Sequence, residues 1–84
     1  MDEHFIMWVK THCPFCIKAK DKLFDQKASY TVYAMDNRLE ELDDVKKKWA
    51  HPTVPVVVLQ RDDKEELIGG YSDLEEWFNE VGND

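Results

Sequence analysis

The sequence is short of thiols: 84 residues carry only two cysteines. That is too few for a secreted disulfide scaffold, which staples a small core with several bridges. No apolar run approaches the length of a membrane-spanning helix. No repeat, linker or low-complexity segment divides the chain. Positive charge is also in deficit, with 11 Lys and Arg against 18 Asp and Glu and a formal net charge of −7. General binding to nucleic acid or to an anionic membrane needs a basic face, so neither partner is expected. The opening MDEHFIMWVK has neither the basic start nor the small-residue cleavage site of a signal peptide. A cytoplasmic protein in a reducing compartment is therefore expected. There a close cysteine pair is more often catalytic or metal-binding than structural.

What is present fits one globular domain spanning residues 1–84, with 43% apolar and 35% charged residues. Phe5 to Val9 is an unbroken apolar run and predicts a strand buried on both faces. From Pro14 to about Lys27 the spacing turns helical, with Cys16, Ala19, Leu23 and Phe24 on one face. Pro14 suits the first turn, where its missing N–H costs nothing. Tyr30 to Asp36 is β-branched and aromatic and predicts a second strand, completing a right-handed βαβ unit. Asn37 is placed to cap a second helix striped by Leu39, Leu42, Val45 and Trp49, with acids early and Lys46 to Lys48 late. Val54 to Leu59 predicts a third strand, and Glu66 to Ile68 a short fourth in a hairpin with it. Ser72, with Glu75 three residues on, predicts the cap of a last helix that buries Leu74, Trp77, Phe78 and Val81. The order β-α-β-α-β-β-α implies an α/β fold: a four-stranded mixed sheet with three helices.

Both cysteines fall in THCPFC, residues 11–16. On this reading Cys13 follows a buried strand and opens a helix. Its sulfur would lie beside free backbone N–H groups and the positive end of the dipole. Such a setting populates the thiolate, the nucleophile of disulfide exchange. Cys16 lies one turn on, within bridging reach and better shielded, so Cys13 would attack and Cys16 resolve. A zinc half-site and a purely structural pair are the rivals. Zinc needs four ligands, no second C-x-x-C exists, and His4, His12 and His51 do not fall at an H-x₃₋₅-H spacing. No metal site is expected.

Three motifs in order, KTHCPFC at 10–16, TVP at 53–55 and GGYSD at 69–73, resemble the glutaredoxins of the thioredoxin-fold superfamily. The likeness spans nearly the whole chain. It is to the dithiol class, whose active site reads C-P-Y/F-C, rather than the single-cysteine class. The resemblance implies a thioredoxin-like fold and a cis Val54–Pro55 bond. The backbone of Val54 would then stand beside Cys13 to pair with an extended peptide. It further implies a glutathione site formed by Lys10, Phe15, Thr53, Val54, Pro55, Gly70, Ser72 and Asp73. Lys10 would take the glycine carboxylate, Phe15 the flat wall and Thr53 a rim contact. The helix start at Gly70 and Ser72 would hold the γ-glutamyl carboxylate, and Asp73 its amino group. Plain helix capping is the alternative for Ser72 and Asp73. Two features depart from the family: His12 sits at a variable position, and WAHP before TVP lacks the arginine often found there. A less basic rim and weaker glutathione affinity are the expectation, with His51 a partial substitute only when protonated.

The function so implied is a monomeric glutathione-dependent thiol–disulfide oxidoreductase acting through Cys13 and Cys16. It would hold no tight cofactor, use glutathione as co-substrate, and act on protein disulfides or glutathionylated proteins, ribonucleotide reductase among the family's substrates. Two alternatives stand beside it. One is a thioredoxin-like reductant served by a flavin reductase. The other is a module binding glutathione and an iron–sulfur cluster between two subunits.

Overall fold

The computed structural model describes residues 3–82, with side chains through residue 80. The chain runs β1 (Glu3–Val9), α1 (Pro14–Asp25), β2 (Tyr30–Ala34), α2 (Leu39–Trp49), β3 (Val56–Arg61), β4 (Lys64–Gly69) and α3 (Tyr71–Gly82). The strands form one mixed sheet in the order β2-β1-β3-β4. β1 pairs in parallel with β2, Phe5 opposite Tyr30, and antiparallel with β3, Met7 opposite Val57. β3 and β4 form the expected hairpin, turning through Asp62 in the left-handed region at φ 54°. This is the α/β arrangement, three helices on a four-stranded sheet, that the sequence predicts for a thioredoxin-like fold.

The main core lies where α1 and α3 meet the sheet. Phe5, Met7 and Val9 from β1, Val57 and Leu59 from β3, Cys16, Ala19 and Leu23 from α1, and Leu74 from α3 form one buried cluster. The α1 residues sit at helical spacings of three and four, so one face meets the sheet. Trp77 and Phe78 close over the Phe5 ring at centroid distances of 5.4 and 5.6 Å. Each fully buried large side chain of the cluster, such as Met7, Leu23 or Leu59, contributes about 1.5–3 kcal/mol.

Several sequence expectations need correction. β1 is not buried on both faces: Phe5, Met7 and Val9 are buried, while Ile6 and Trp8 between them are half-covered. Trp8 instead stacks on Tyr33 of the neighbouring strand at 6.0 Å. β3, whose residues Val56 to Leu59 are all buried, is the strand that meets the expectation. β2 ends at Ala34 rather than Asp36. Phe24 is 71% exposed because Leu23, about 100° away on the helix, takes the core position. Leu39 is 56% exposed at the head of α2, and Leu42 is the residue that helix buries. Asn37 is not its cap: Arg38 holds that position and makes no side-chain cap bond.

Ser72 is not the cap of α3 either. The helix begins at Tyr71, and the Gly70 carbonyl accepts the Leu74 N–H at 3.0 Å. Asp73 reaches back to accept the Gly70 N–H at 2.9 Å, the reciprocal half of a capping box two residues earlier than Glu75 suggested. Gly69 makes the entry possible, since its φ of 122° disfavours any side chain and a Cβ there would run into the Asp73 carboxylate. Val81, expected on the buried face, has a side chain outside the described residues.

Candidate functional site

β1 delivers the chain into the loop Lys10–Thr11–His12, and α1 takes it up at Pro14. Cys13 lies between them as the N-cap, in extended backbone at φ −109° and ψ 110°. Its carbonyl accepts the Ile17 N–H at 3.1 Å, and its sulfur accepts the Cys16 N–H at 3.2 Å. Pro14 occupies the first helical position. The sulfur thus takes the place a serine or aspartate oxygen holds at an ordinary helix start, against an unpaired amide and the positive dipole end. The Val54 carbonyl lies 3.9 Å away, within reach of the Cys13 thiol as donor.

Cys16 is the shielded partner. It is 3% exposed, whereas Cys13 is half-buried. Burial pushes the Cys16 thiol up to about 12, with smaller contributions from its hydrogen bond to Cys13 and the charges of Cys13 and Asp36. The Lys10 backbone acts in the opposite direction. Cys16 therefore keeps its proton, and the accessible sulfur is that of Cys13. His12, without a role from sequence, is exposed.

Beside the dithiol lies an open cleft of about 240 Å³. Its walls are Phe15 of α1, Thr53 to Pro55, and Gly70 to Asp73 at the start of α3, with His51 at the rim. The Val54–Pro55 peptide is cis, as expected. All the residues the sequence nominated for a peptide-like ligand come together here except Lys10, which does not line the cleft. Asp73 faces the cleft with one carboxylate oxygen already committed to the Gly70 N–H. His51 Nε2 lies 3.4 Å from the Thr53 hydroxyl. A larger hollow of about 510 Å³ lies over the β3–β4 turn, walled mainly by charged side chains and remote from both sulfurs in the fold.

Two parts of the site were not found from sequence. Tyr71 stacks on Phe15 at 6.2 Å and 28°, tying α3 to α1 across one end of the cleft, while its hydroxyl donates to Glu75 at 3.0 Å. The i, i+4 spacing of Tyr71 and Glu75 was its only local signal. The second is Asp36, which accepts both the backbone N–H and the hydroxyl of Thr11. Thr11 holds its carboxyl below the usual range, the hydroxyl bond acting first and the amide second. The signal for that contact is the register. β1 and β2 pair at a constant offset, Phe5 with Tyr30 and Val9 with Ala34, and continuing it sets Thr11 opposite Asp36.

The glutaredoxin family model matches residues 5–63. A glutaredoxin-like protein of Encephalitozoon cuniculi is 35% identical over 60 residues, which is 71% of this chain and 45% of that one. The chain thus spans about half the length of this curated relative. Among solved structures, wheat glutaredoxin superposes with a TM-score of 0.77 at 24% identity, over 94% of this chain and 71% of its own. The dithiolic glutaredoxin of Trypanosoma brucei brucei superposes with a TM-score of 0.73 at 27% identity, over 93% and 78%.

Proposed function

The chain belongs to the glutaredoxin family of thiol–disulfide oxidoreductases, and on that premise we propose that it is a glutathione-dependent reductase of protein disulfides and glutathione mixed disulfides. The observation that carries this is the asymmetry of the pair. One sulfur is accessible and caps a helix, and the other is buried one turn away with its proton held.

In the proposed cycle the Cys13 thiolate attacks one sulfur of a substrate disulfide. A Cys13–substrate disulfide forms, and the other substrate sulfur leaves as a thiolate that takes up a proton. Cys16 then loses its proton and attacks the Cys13 sulfur. This releases the second substrate thiol and leaves a Cys13–Cys16 disulfide. Two glutathiones return the pair to dithiol, supplying the two electrons and departing as glutathione disulfide. With a glutathionylated substrate, Cys13 alone suffices: it takes the glutathionyl group, and a second glutathione removes it.

The cleft beside Cys13 supports glutathione as the reductant. Glutathione has a short peptide backbone around its own cysteine, and half-buried Val54 lines the cleft just before β3 begins, beside Cys13, where such a chain can pair with it as an added strand. Phe15 supplies an apolar wall. The start of α3 supplies amides for a carboxylate, and Asp73 a counter-charge for an amine.

The test is turnover of a mixed disulfide with glutathione and glutathione reductase, set against turnover with a flavin-dependent thioredoxin reductase. Glutathione-coupled activity that vanishes in Cys13→Ser and survives on glutathionylated substrates in Cys16→Ser is expected. Full activity in Cys13→Ser, or turnover with the flavin enzyme alone, refutes the proposal.

A further inference from the structure

The loop that delivers Cys13 is clamped from outside the cleft. Asp36 accepts the Thr11 N–H on both carboxylate oxygens, at 3.1 and 3.2 Å, and the Thr11 hydroxyl at 2.7 Å. The anchor end is firm. Met35, next to Asp36, is buried, its N–H donates to the Val9 carbonyl at 2.8 Å, and its own carbonyl accepts the Arg38 N–H at 3.0 Å. After the backbone ladder ends at Val9, the Asp36 side chain thus carries the β1–β2 pairing two residues further, up to the turn before Cys13. Bonds to an ionised acceptor are the stronger kind, and these three converge on one residue.

We propose that Asp36 is a positioning residue for the dithiol, acting through Thr11 to fix the loop that sets the Cys13 sulfur between the Cys16 N–H and the Val54 carbonyl. The inference rests on the thiol–disulfide reading above. The same carboxylate adds its charge to the causes that keep the proton on Cys16, and it feels the His12 imidazole across the loop.

Charge and position can be separated because they act in opposite directions. Deleting a carboxylate's charge removes repulsion on any nearby anion, so the loss of charge alone does not slow an anionic nucleophile. Deleting the clamp lets the sulfur leave its amide and slows that reaction.

The experiment measures Cys13 alkylation by iodoacetamide in the fully reduced chain, alongside kcat and KM in the glutathione-coupled assay and the thermal midpoint. The variants are Thr11→Val, Thr11→Ser, Asp36→Ala and the double variant Asp36→Ala/Thr11→Val. Thr11→Val, which removes only the hydroxyl bond, should slow alkylation about fivefold, the effect of losing one ordinary hydrogen bond, and Asp36→Ala, which removes all three, at least as much. Turnover should fall in kcat while KM for glutathione holds. Thr11→Ser should match the wild type, and the double variant should be no slower than Asp36→Ala. Asp36→Ala reacting as fast as the wild type or faster overturns the proposal, as does a lowered midpoint with an unchanged rate. If Asp36→Ala does not fold, the Thr11→Val and Thr11→Ser pair decides alone. Wild-type turnover in Cys13→Ser would defeat the thiol–disulfide reading itself. An inactive Cys13→Ser with unchanged Asp36→Ala would defeat only the clamp.

Discussion

Cys16 should be chemically silent in the native dithiol and ordinary once the chain is unfolded. Its thiol is pushed from 9.0 to about 12. At pH 8 the ordinary thiol is about one-tenth thiolate and the native one about one in ten thousand, a thousandfold deficit in the reactive form. A more basic thiolate is intrinsically more nucleophilic, which returns about 15- to 30-fold over three units. The net expectation is alkylation about 30- to 60-fold slower than in the unfolded chain, before the shielding of a sulfur only 3% exposed is counted. The perturbation is urea at fixed pH. The assay is timed iodoacetamide quenching with adducts assigned to each cysteine by peptide mass. Native protein should gain one adduct, on Cys13, while Cys16 stays free until unfolding. Native and unfolded rates at Cys16 within about threefold of each other would refute the reasoning, since the thiolate deficit should outweigh the nucleophilicity gain. The same causes say when Cys16 wakes. A mixed disulfide on Cys13 removes both the Cys13 hydrogen bond and the Cys13 charge that help raise the Cys16 thiol, leaving burial and the weaker charge of Asp36. The resolver becomes easier to ionise only after there is something to resolve.

Three further outcomes follow from the packing and the turns. Leu23→Ala, at a fully buried position of α1, should cost about 2–5 kcal/mol by urea denaturation. Phe24→Ala beside it, at an exposed position, should stay within about 0.5 kcal/mol, and equal costs would contradict the assignment of the helix face. Gly69→Ala forces a side chain onto a backbone at φ 122° and against Asp73, so it should lose about 1–3 kcal/mol; an unshifted denaturation midpoint would count against that account. Asp36 has a folded-state carboxyl held low by Thr11. Its contribution to stability is therefore present above the ordinary carboxylate range and is lost as pH falls through the depressed folded value. A carbon-13 NMR titration of Asp36 should show the low value in the wild type and a rise in Thr11→Val, whereas identical titrations would exclude Thr11 as the cause.

Element order and the dithiol were legible from sequence because each has a local signature. Helical periodicity marks α1, an unbroken apolar run marks β3, and a proline inside C-x-x-C at a strand-to-helix junction marks the N-cap. Local pattern misled where neighbours competed for one space. Leu23 and Phe24 are equally apolar, and only the helix phase against the sheet decides that Leu23 enters. Phe5–Val9 and Val56–Leu59 read alike, yet only the second is buried throughout. Helix caps were misplaced by a residue or more because glycine at position 70 gives no side-chain signal, and Asp73 works backwards from inside the helix. The Thr11–Asp36 contact was invisible for another reason: it depends on strand register, which no single segment carries. The converging cleft residues were nominated by motif company, and Tyr71 was missed because its partner Phe15 lies on a different helix.

The sheet order bears on how the chain must be made. β1 comes first in sequence but lies inside the sheet, and its antiparallel partner β3 is not complete until Arg61. The cap on the Val54 side, the cleft and Leu74 of the core arrive later than the cysteines by roughly forty to sixty residues, a separation visible in the numbering. A nascent chain exposing only the β1–α1–β2 unit would carry its thiols without the burial that silences Cys16, and domains in general fold as units rather than piecemeal. Division of labour between the two sulfurs is therefore a property of the assembled domain: Cys13 caps α1 within its own helix, but the cluster that buries Cys16 is complete only once β3 and α3 are in place.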